Sequence, residues 1–218
     1  MVAHGTQPVL SPGYAPDEIR TRYDYDVEKA KALLAEVGWV DSDGDGILER
    51  DGEKFEFSYI YSSGDQTQDQ IAAYMTDAYS QIGISMTQEP VDFATVLLGI
   101  VTGPSPTFDY ELLGVGFGWD VSGDQARMFS TDAYPGQFNI MKYSNPDADA
   151  AMAAANASTD PTERRKWLVE ATNIINDDCP AQVLYFTKGL NGSSASLQNY
   201  YPNTLSFYWF LPYVWIAE

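Results

Sequence analysis

Two stretches of this chain combine residue types and spacing that could do chemistry. The first runs Gly114-Val115-Gly116-Phe117-Gly118-Trp119-Asp120-Val121-Ser122-Gly123-Asp124. Its glycines let a bound molecule approach the backbone closely, the aromatic rings supply flat apolar faces, and Asp120 or Asp124 supplies charge for a cationic group. The competing reading is a solvated loop whose Trp119 plugs the core. The second stretch is Asp41-Ser42-Asp43-Gly44-Asp45-Gly46, whose alternate carboxylates have the spacing of a calcium loop with Gly46 at the sharp turn. The twelfth position, where a bidentate glutamate belongs, is Gly52; Glu49 and Asp51 are the available substitutes. Against calcium stands a plain acidic hairpin turn, since the flanking elements read as a helix and a strand. No other cofactor is expected.

Other chemistries are poorly supplied. The sequence has one histidine, His4, in a Gly/Pro-rich leader, and one cysteine, Cys179. A Ser-His-Asp or Cys-His arrangement would have to recruit His4, and a lone thiol forms neither an intrachain disulfide nor a Cys-rich zinc site. Cys179 beside Pro180 reads as a small buried residue. A pair of acids for glycoside hydrolysis is easy to choose among 31 Asp and Glu, and therefore says little until two are shown facing each other across a cleft.

Those 31 acids stand against 12 Lys and Arg in 218 residues, a net charge of −19, which makes nucleic acid an improbable partner because phosphate binding rests on basic side chains. With 44% hydrophobic residues and 15 Tyr, 10 Phe and 5 Trp, the chain has material for a core and is no disordered acidic tail. No window approaches the roughly 20 apolar residues of a membrane span.

The elements that must position these residues alternate. Residues 1–22 read as an extended Gly/Pro-rich connector. Asp26 caps a helix whose Ala30, Leu33, Leu34 and Val37 recur on one face, and Gly38 ends it. Phe55, Phe57, Tyr59 and Tyr61 alternate as a strand. A helix over 66–82 places Ile71, Tyr74, Met75, Ala78 and Ile82 together and closes at Gly83. Ile84, Met86 and Gln88 form a second strand that Pro90 stops. Asp92 caps a short helix, and 108–117 forms a third strand. This order predicts a mostly parallel sheet flanked by helices. From Gly116 to Tyr143 no period is evident, as in a functional loop. Asn145-Pro146 and Asp160-Pro161-Thr162-Glu163 start two helices, the second with Trp167, Leu168, Ala171, Ile174 and Ile175 as its buried stripe. Val183 to Phe186 reads as a further strand, and the last thirty residues form an aromatic tail.

Several segments, in order, resemble the bacterial extracellular solute-binding proteins of family five, the dipeptide, oligopeptide and nickel type that serve ABC importers. They are Tyr25-Asp26 through Gly38-Trp39, the Asp41 to Gly46 turn with Asp51-Gly52, Gln81-Ile82-Gly83-Ile84, Val91-Asp92-Phe93, and Phe108-Asp109-Tyr110-Glu111-Leu112-Leu113-Gly114. Tyr143-Ser144-Asn145-Pro146-Asp147-Ala148-Asp149 and Asp178-Cys179-Pro180-Ala181-Gln182-Val183-Leu184-Tyr185 complete the series. The resemblance departs at Cys179, where alanine is commoner, and after Trp119.

This resemblance implies a type II periplasmic-binding-protein-like α/β lobe over 23–186, the carboxy-terminal lobe of a longer protein. Residues 1–22 would then connect to a missing amino-terminal lobe, and 187–218 would return toward it. Tyr200, Tyr201, Tyr208, Trp209, Phe210, Tyr213 and Trp215 would cover an inter-lobe surface, a sugar-stacking platform being the sharper alternative. The implied function is non-catalytic binding of a peptide or similar small solute for the membrane subunits of an importer, outside the cytoplasm, with a signal segment and lipid anchor upstream. In similar proteins the aspartate near Trp119 pairs with a ligand ammonium, and Tyr134, Phe138 and Asn139 fall in a region that lines the cleft. Asn139 could serve a peptide backbone or merely complete a turn. The other classes carried from the residues are a carbohydrate hydrolase using paired acids and a calcium-stabilised surface module.

Overall fold

A computed structural model of the chain describes residues 3–102, 111–119, 121–134, 137–202 and 210–217. Its centre is a three-stranded parallel sheet in the order β4-β3-β5, where β3 is Glu56–Ser62, β4 Ser85–Val91 and β5 Leu112–Gly114. Helix α2 (Gln66–Ser80) links β3 to β4 and covers one face, where Tyr59, Tyr61 and Met86 bury against Ala72. On the other face Ile60 packs on Ile100 of helix α3 (Leu98–Thr102), which continues a π-type turn over Phe93–Leu97. Three successive residues of β3 are thus buried, as a central parallel strand requires when helices lie on both sides.

The local signals work largely as expected. Asp26 accepts the Lys29 amide at 2.9 Å and starts helix α1 (Val27–Glu36), Asp92 accepts from Thr95 N at 2.9 Å, and Asn145 and Asp160 cap helices α5 (Pro146–Ala157) and α6 (Pro161–Asp178). Asp65 caps α2 through Thr67 N and Gln68 N. The turn from Glu49–Arg50 (β1) to Glu53–Lys54 (β2) is a small antiparallel hairpin between α1 and β3.

Four expectations are corrected. Pro90 does not stop its strand: it lies inside β4 opposite Tyr61, tolerated because β4 is an edge of the described sheet and needs no donor on its outer side. The apolar stripe of α1 is not buried: Leu33 is 53% and Val37 58% exposed, and Ala30 and Leu34 are only half-buried. Among the described residues Val183 to Phe186 forms no strand: only Tyr185 has a bridge position, and the residue 3 amide donates to Leu184 O at 3.3 Å. Cys179 is exposed, not buried, because it is the left-handed residue (φ 50°) by which the chain leaves α6.

A second core lies where α5 and α6 pack together with a helical turn, α4 (Ala126–Phe129). There Phe129, Ala148, Met152, Ala171 and Ile175 are buried. The buried stripe of α6 includes Leu168, Ala171 and Ile175, with Trp167 and Ile174 partly covered. Residues 3–22 are not simply extended: they make turns, with a 3-10 turn at Pro16–Glu18, and are not loose. Arg20 N donates to Asn173 Oδ1 at 2.8 Å, Asn173 Nδ2 to Glu18 O at 3.1 Å and Asn176 Nδ2 to Thr21 O at 2.6 Å, so α6 holds this segment along its length. In the tail, Leu197–Gln198 (β6) pairs antiparallel with Trp215–Ile216 (β7), and Phe210 is buried edge-on to Tyr200. Tyr208 and Trp209 lie outside the described residues, as do Phe108, Asp109 and Tyr110 of the expected third strand. Among the described residues no helix is long and apolar enough to cross a membrane.

Candidate functional site

The loop after β5 begins with a close approach. A Cβ on Gly114 would lie 2.0 Å from the Tyr59 hydroxyl oxygen, so only glycine lets the Tyr59 ring cross beneath the strand end. Gly116 and Gly118 differ: both are exposed, and a Cβ on either would meet nothing within 4 Å among the described residues. Their backbone is therefore open from outside, at the carboxyl end of a parallel strand, where open α/β sheets receive ligands. Between them Phe117 meets Phe138 edge to face at 5.6 Å, and the Arg127 guanidinium lies over the Phe138 ring at 4.9 Å. Tyr134 is half-buried, with the Lys142 ammonium 5.8 Å from its ring centroid. Gly116, Phe117 and Phe138 thus form one small surface.

The other expected site residues are placed differently. Trp119 is partly buried against the α4–α5–α6 core, which is the core-plug reading of that ring. Asp120 lies outside the described residues. Asp124 uses Oδ1 to accept from Ala126 N at 2.9 Å and Asn156 Nδ2 at 3.0 Å, so it starts α4 and ties the loop to α5. Asn139 is only 1% exposed; its Nδ2 donates to Ser130 O at 2.9 Å and Tyr143 O at 2.8 Å, and its Oδ1 accepts from Tyr143 N at 2.9 Å. Both amide hydrogens are spent inside the protein, so Asn139 completes a turn and is withdrawn from the candidate ligand contacts. The stretch from Gly116 to Tyr143 is accordingly not structureless: it contains α4 and a 3-10 turn at Thr131–Ala133, and it buries Gln125, Phe129, Ala133 and Asn139.

A buried polar network that sequence reasoning missed anchors this loop. Thr6 Oγ1 donates to Gln125 Oε1, Gln125 Nε2 donates to Thr172 Oγ1 at 3.0 Å, and Gln7 Nε2 donates to Gly123 O at 2.9 Å. Its members are polar residues in a leader, a loop and a helix, and no local pattern reveals that they meet. A second clasp joins two of the motifs quoted above: Tyr143 Oη and Asn145 Nδ2 both donate to Asp178 Oδ2 at 2.6 Å. The hydrogen bond from Tyr143 and then that from Asn145 hold the Asp178 carboxyl below the ordinary range, while burial first, then Asp178, push the Tyr143 phenol up.

Asp41, Asp43 and Asp45 do come together. Each has a carboxylate oxygen within 4.8 Å of the others and of one from Glu49, and the Lys54 ammonium pairs with Asp45 and lies 3.7 Å from Asp43 Oδ2.

A parallel sheet with helices on both faces is the α/β architecture of the type II periplasmic-binding-protein-like fold. The profile of the bacterial extracellular solute-binding proteins, family 5 (middle), matches residues 1–148, and the chain belongs to that family. It is 28% identical over 199 residues to the oligopeptide-binding protein AppA of Bacillus subtilis, an alignment that covers 91% of this chain and 36% of that protein. The structure of AppA in complex with a nonapeptide superposes on all of this chain and 43% of its own, with a TM-score of 0.86 and 26% identity. The fold also matches an oligopeptide-binding protein of Thermus thermophilus complexed with a pentapeptide (TM-score 0.75, 24% identity, 85% of this chain and 33% of that one). The chain thus spans about a third of the length of AppA.

Proposed function

We propose that the chain supplies the carboxy-terminal lobe of an extracytoplasmic, lipid-anchored substrate-binding protein that delivers peptides to the membrane subunits of an ABC importer. Residues 1–22 enter from the amino-terminal lobe and 187–218 return to it. The observation that carries this reading is the exposed backbone of Gly116 and Gly118 beside the Phe117–Phe138 pair, at the carboxyl end of β5. Extended peptides present amides and alternate side chains, which an open backbone edge flanked by aromatic rings can receive. Likeness to AppA, whose structure holds a nonapeptide, supports peptide over other solutes. The charge of −19 favours ligands with a cationic end.

Binding sites of this kind bury roughly 70–90% of a ligand's surface, and one lobe offers only part of that enclosure. Calorimetry with peptides of several lengths tests both points. The full-length receptor should bind a peptide, and the 218-residue chain alone should bind the same peptide weakly or undetectably. A full-length protein that ignores peptides but takes up an oligosaccharide or metal chelate overturns the substrate class. Micromolar peptide affinity in the isolated chain overturns the two-lobe enclosure.

A further inference from the structure

The loop between α1 and the β1–β2 hairpin concentrates more negative charge than a turn needs. Asp41, Asp43 and Asp45 occupy the first, third and fifth positions of a calcium-loop spacing, and Glu49 occupies the ninth. One carboxylate oxygen from each of the four lies within 4.8 Å of the other three. Much of the hydrogen bonding is internal: Asp41 accepts from Gly44 N and Gly46 N, Asp43 from Asp45 N, and Asp45 from Ile47 N. Such turns form without any ion and settle nothing.

Glu49, unlike the three exposed aspartates, is buried. It is 9% exposed, and its backbone is fixed by a two-way bridge to Val40, with N···O distances of 2.8 and 3.1 Å. Its Oε2 accepts from Ser42 N and Oγ, both at 2.8 Å, but its Oε1 is buried and has no donor among the described residues. A buried carboxylate oxygen without a partner is destabilising, and three further carboxylates beside it add repulsion. Among the described residues the cation paired with this cluster is the Lys54 ammonium, which bonds Asp45 and approaches Asp43. A single ammonium against four carboxylates leaves three charges uncompensated.

We propose that Asp41, Asp43, Asp45 and Glu49 bind a calcium ion, and that the Lys54 ammonium is a tethered counter-ion which calcium displaces. The donor set is all oxygen, which excludes the sulfur and nitrogen preference of structural zinc, and a loop of carboxylates on a flexible turn suits calcium better than the strict octahedron of magnesium. Glu49 takes the part of the acidic ligand missing at Gly52, with its position set by the bridge to Val40 in place of a second helix. The bound ion would pin the corner where α1 meets the hairpin, next to the Trp39–Phe55 ring contact at 4.4 Å and the Leu48 N to Gly83 O bond at 2.8 Å.

Calorimetric titration of the chelator-treated chain with calcium chloride tests this. The expected result is one site with a Kd of about 10⁻⁴–10⁻³ M, the range of extracellular calcium modules. Asp43→Asn should weaken binding by roughly tenfold or more, and Lys54→Gln should tighten it severalfold because the competitor is gone. Lys54→Gln removes no ligand, so it keeps the test decisive if an acid variant fails to fold. Absence of binding up to about 10 mM calcium in both the parent chain and Lys54→Gln overturns the site. Binding that Asp43→Asn leaves unchanged places calcium elsewhere and also overturns it, and equal affinity for magnesium overturns the choice of ion.

Discussion

Replacing Gln125 by alanine should loosen the candidate ligand loop from the rest of the protein, and the cost can be worked from its contacts. The side chain is 1% exposed and holds two hydrogen bonds, accepting from Thr6 Oγ1 and donating to Thr172 Oγ1 at 3.0 Å. Thr172 keeps its bond to Leu168 O at 2.8 Å, but the Thr6 hydroxyl, 3% exposed, loses the acceptor it uses. A lost hydrogen bond costs about 1 kcal/mol, and a stranded buried group adds about 1–3 kcal/mol, so the sum is roughly 2–4 kcal/mol. For a chain of this size that lowers Tm by roughly 5–15 °C. Thermal and urea unfolding of the parent, Gln125→Ala, Thr6→Val and the double variant give a cycle in which the Gln125 substitution should cost about 1 kcal/mol less when Thr6 is already valine. A loss under about 0.5 kcal/mol for Gln125→Ala, or strict additivity with Thr6→Val, refutes the network as the loop's anchor.

The two kinds of glycine in the loop should separate. Gly114→Ala meets the Tyr59 ring and should destabilise by about 1–3 kcal/mol, measured by urea midpoint. Gly116→Ala should change stability by less than about 0.5 kcal/mol yet reduce peptide affinity of the full-length receptor, read by calorimetry. Asn139→Ala should cost about 2–4 kcal/mol in unfolding, as three buried hydrogen bonds are lost; unchanged stability with lost ligand binding would restore it to the site. Asp178 titrates below the ordinary carboxylate range because Tyr143, then Asn145, hydrogen-bond its charged form. Its stabilising contribution is complete above the unfolded value of about 3.9 and is lost as pH falls through the lower folded value, so Asp178→Asn should flatten the acid side of a stability–pH profile.

Much of the scaffold is legible because it rests on local chemistry. Asp26, Asp92, Asn145 and Asp160 each announce a helix start, and each accepts the amides that the spacing predicts. The alternation through Phe57, Tyr59 and Tyr61 sets these rings toward α2 and leaves Ile60 for the opposite face. What cannot be read is tertiary. Whether Pro90 interrupts a strand depends on that strand being an edge, and whether Leu33 and Val37 are covered depends on an element packing there. Asn139 illustrates the same limit in the site: an amide able to serve a ligand is equally able to serve Ser130 and Tyr143, and only burial decides between them.

The acids show how residue type and role come apart. Asp26, Asp65, Asp92, Asp124 and Asp160 all spend an oxygen on backbone amides at the start of a helix or turn, and Asp178 is the acceptor at the centre of the Tyr143–Asn145 clasp. Each is accounted for by the fold, which is why a catalytic pair chosen from the composition has little force. Glu49 is different, because its Oε1 is buried without a donor among the described residues and its carboxylate neighbours three others. The informative acid is thus the one whose environment is unfavourable without a further partner. That criterion depends on burial and hydrogen bonding, and it separates the Asp41–Glu49 loop from the helix caps although both are built from the same side chains.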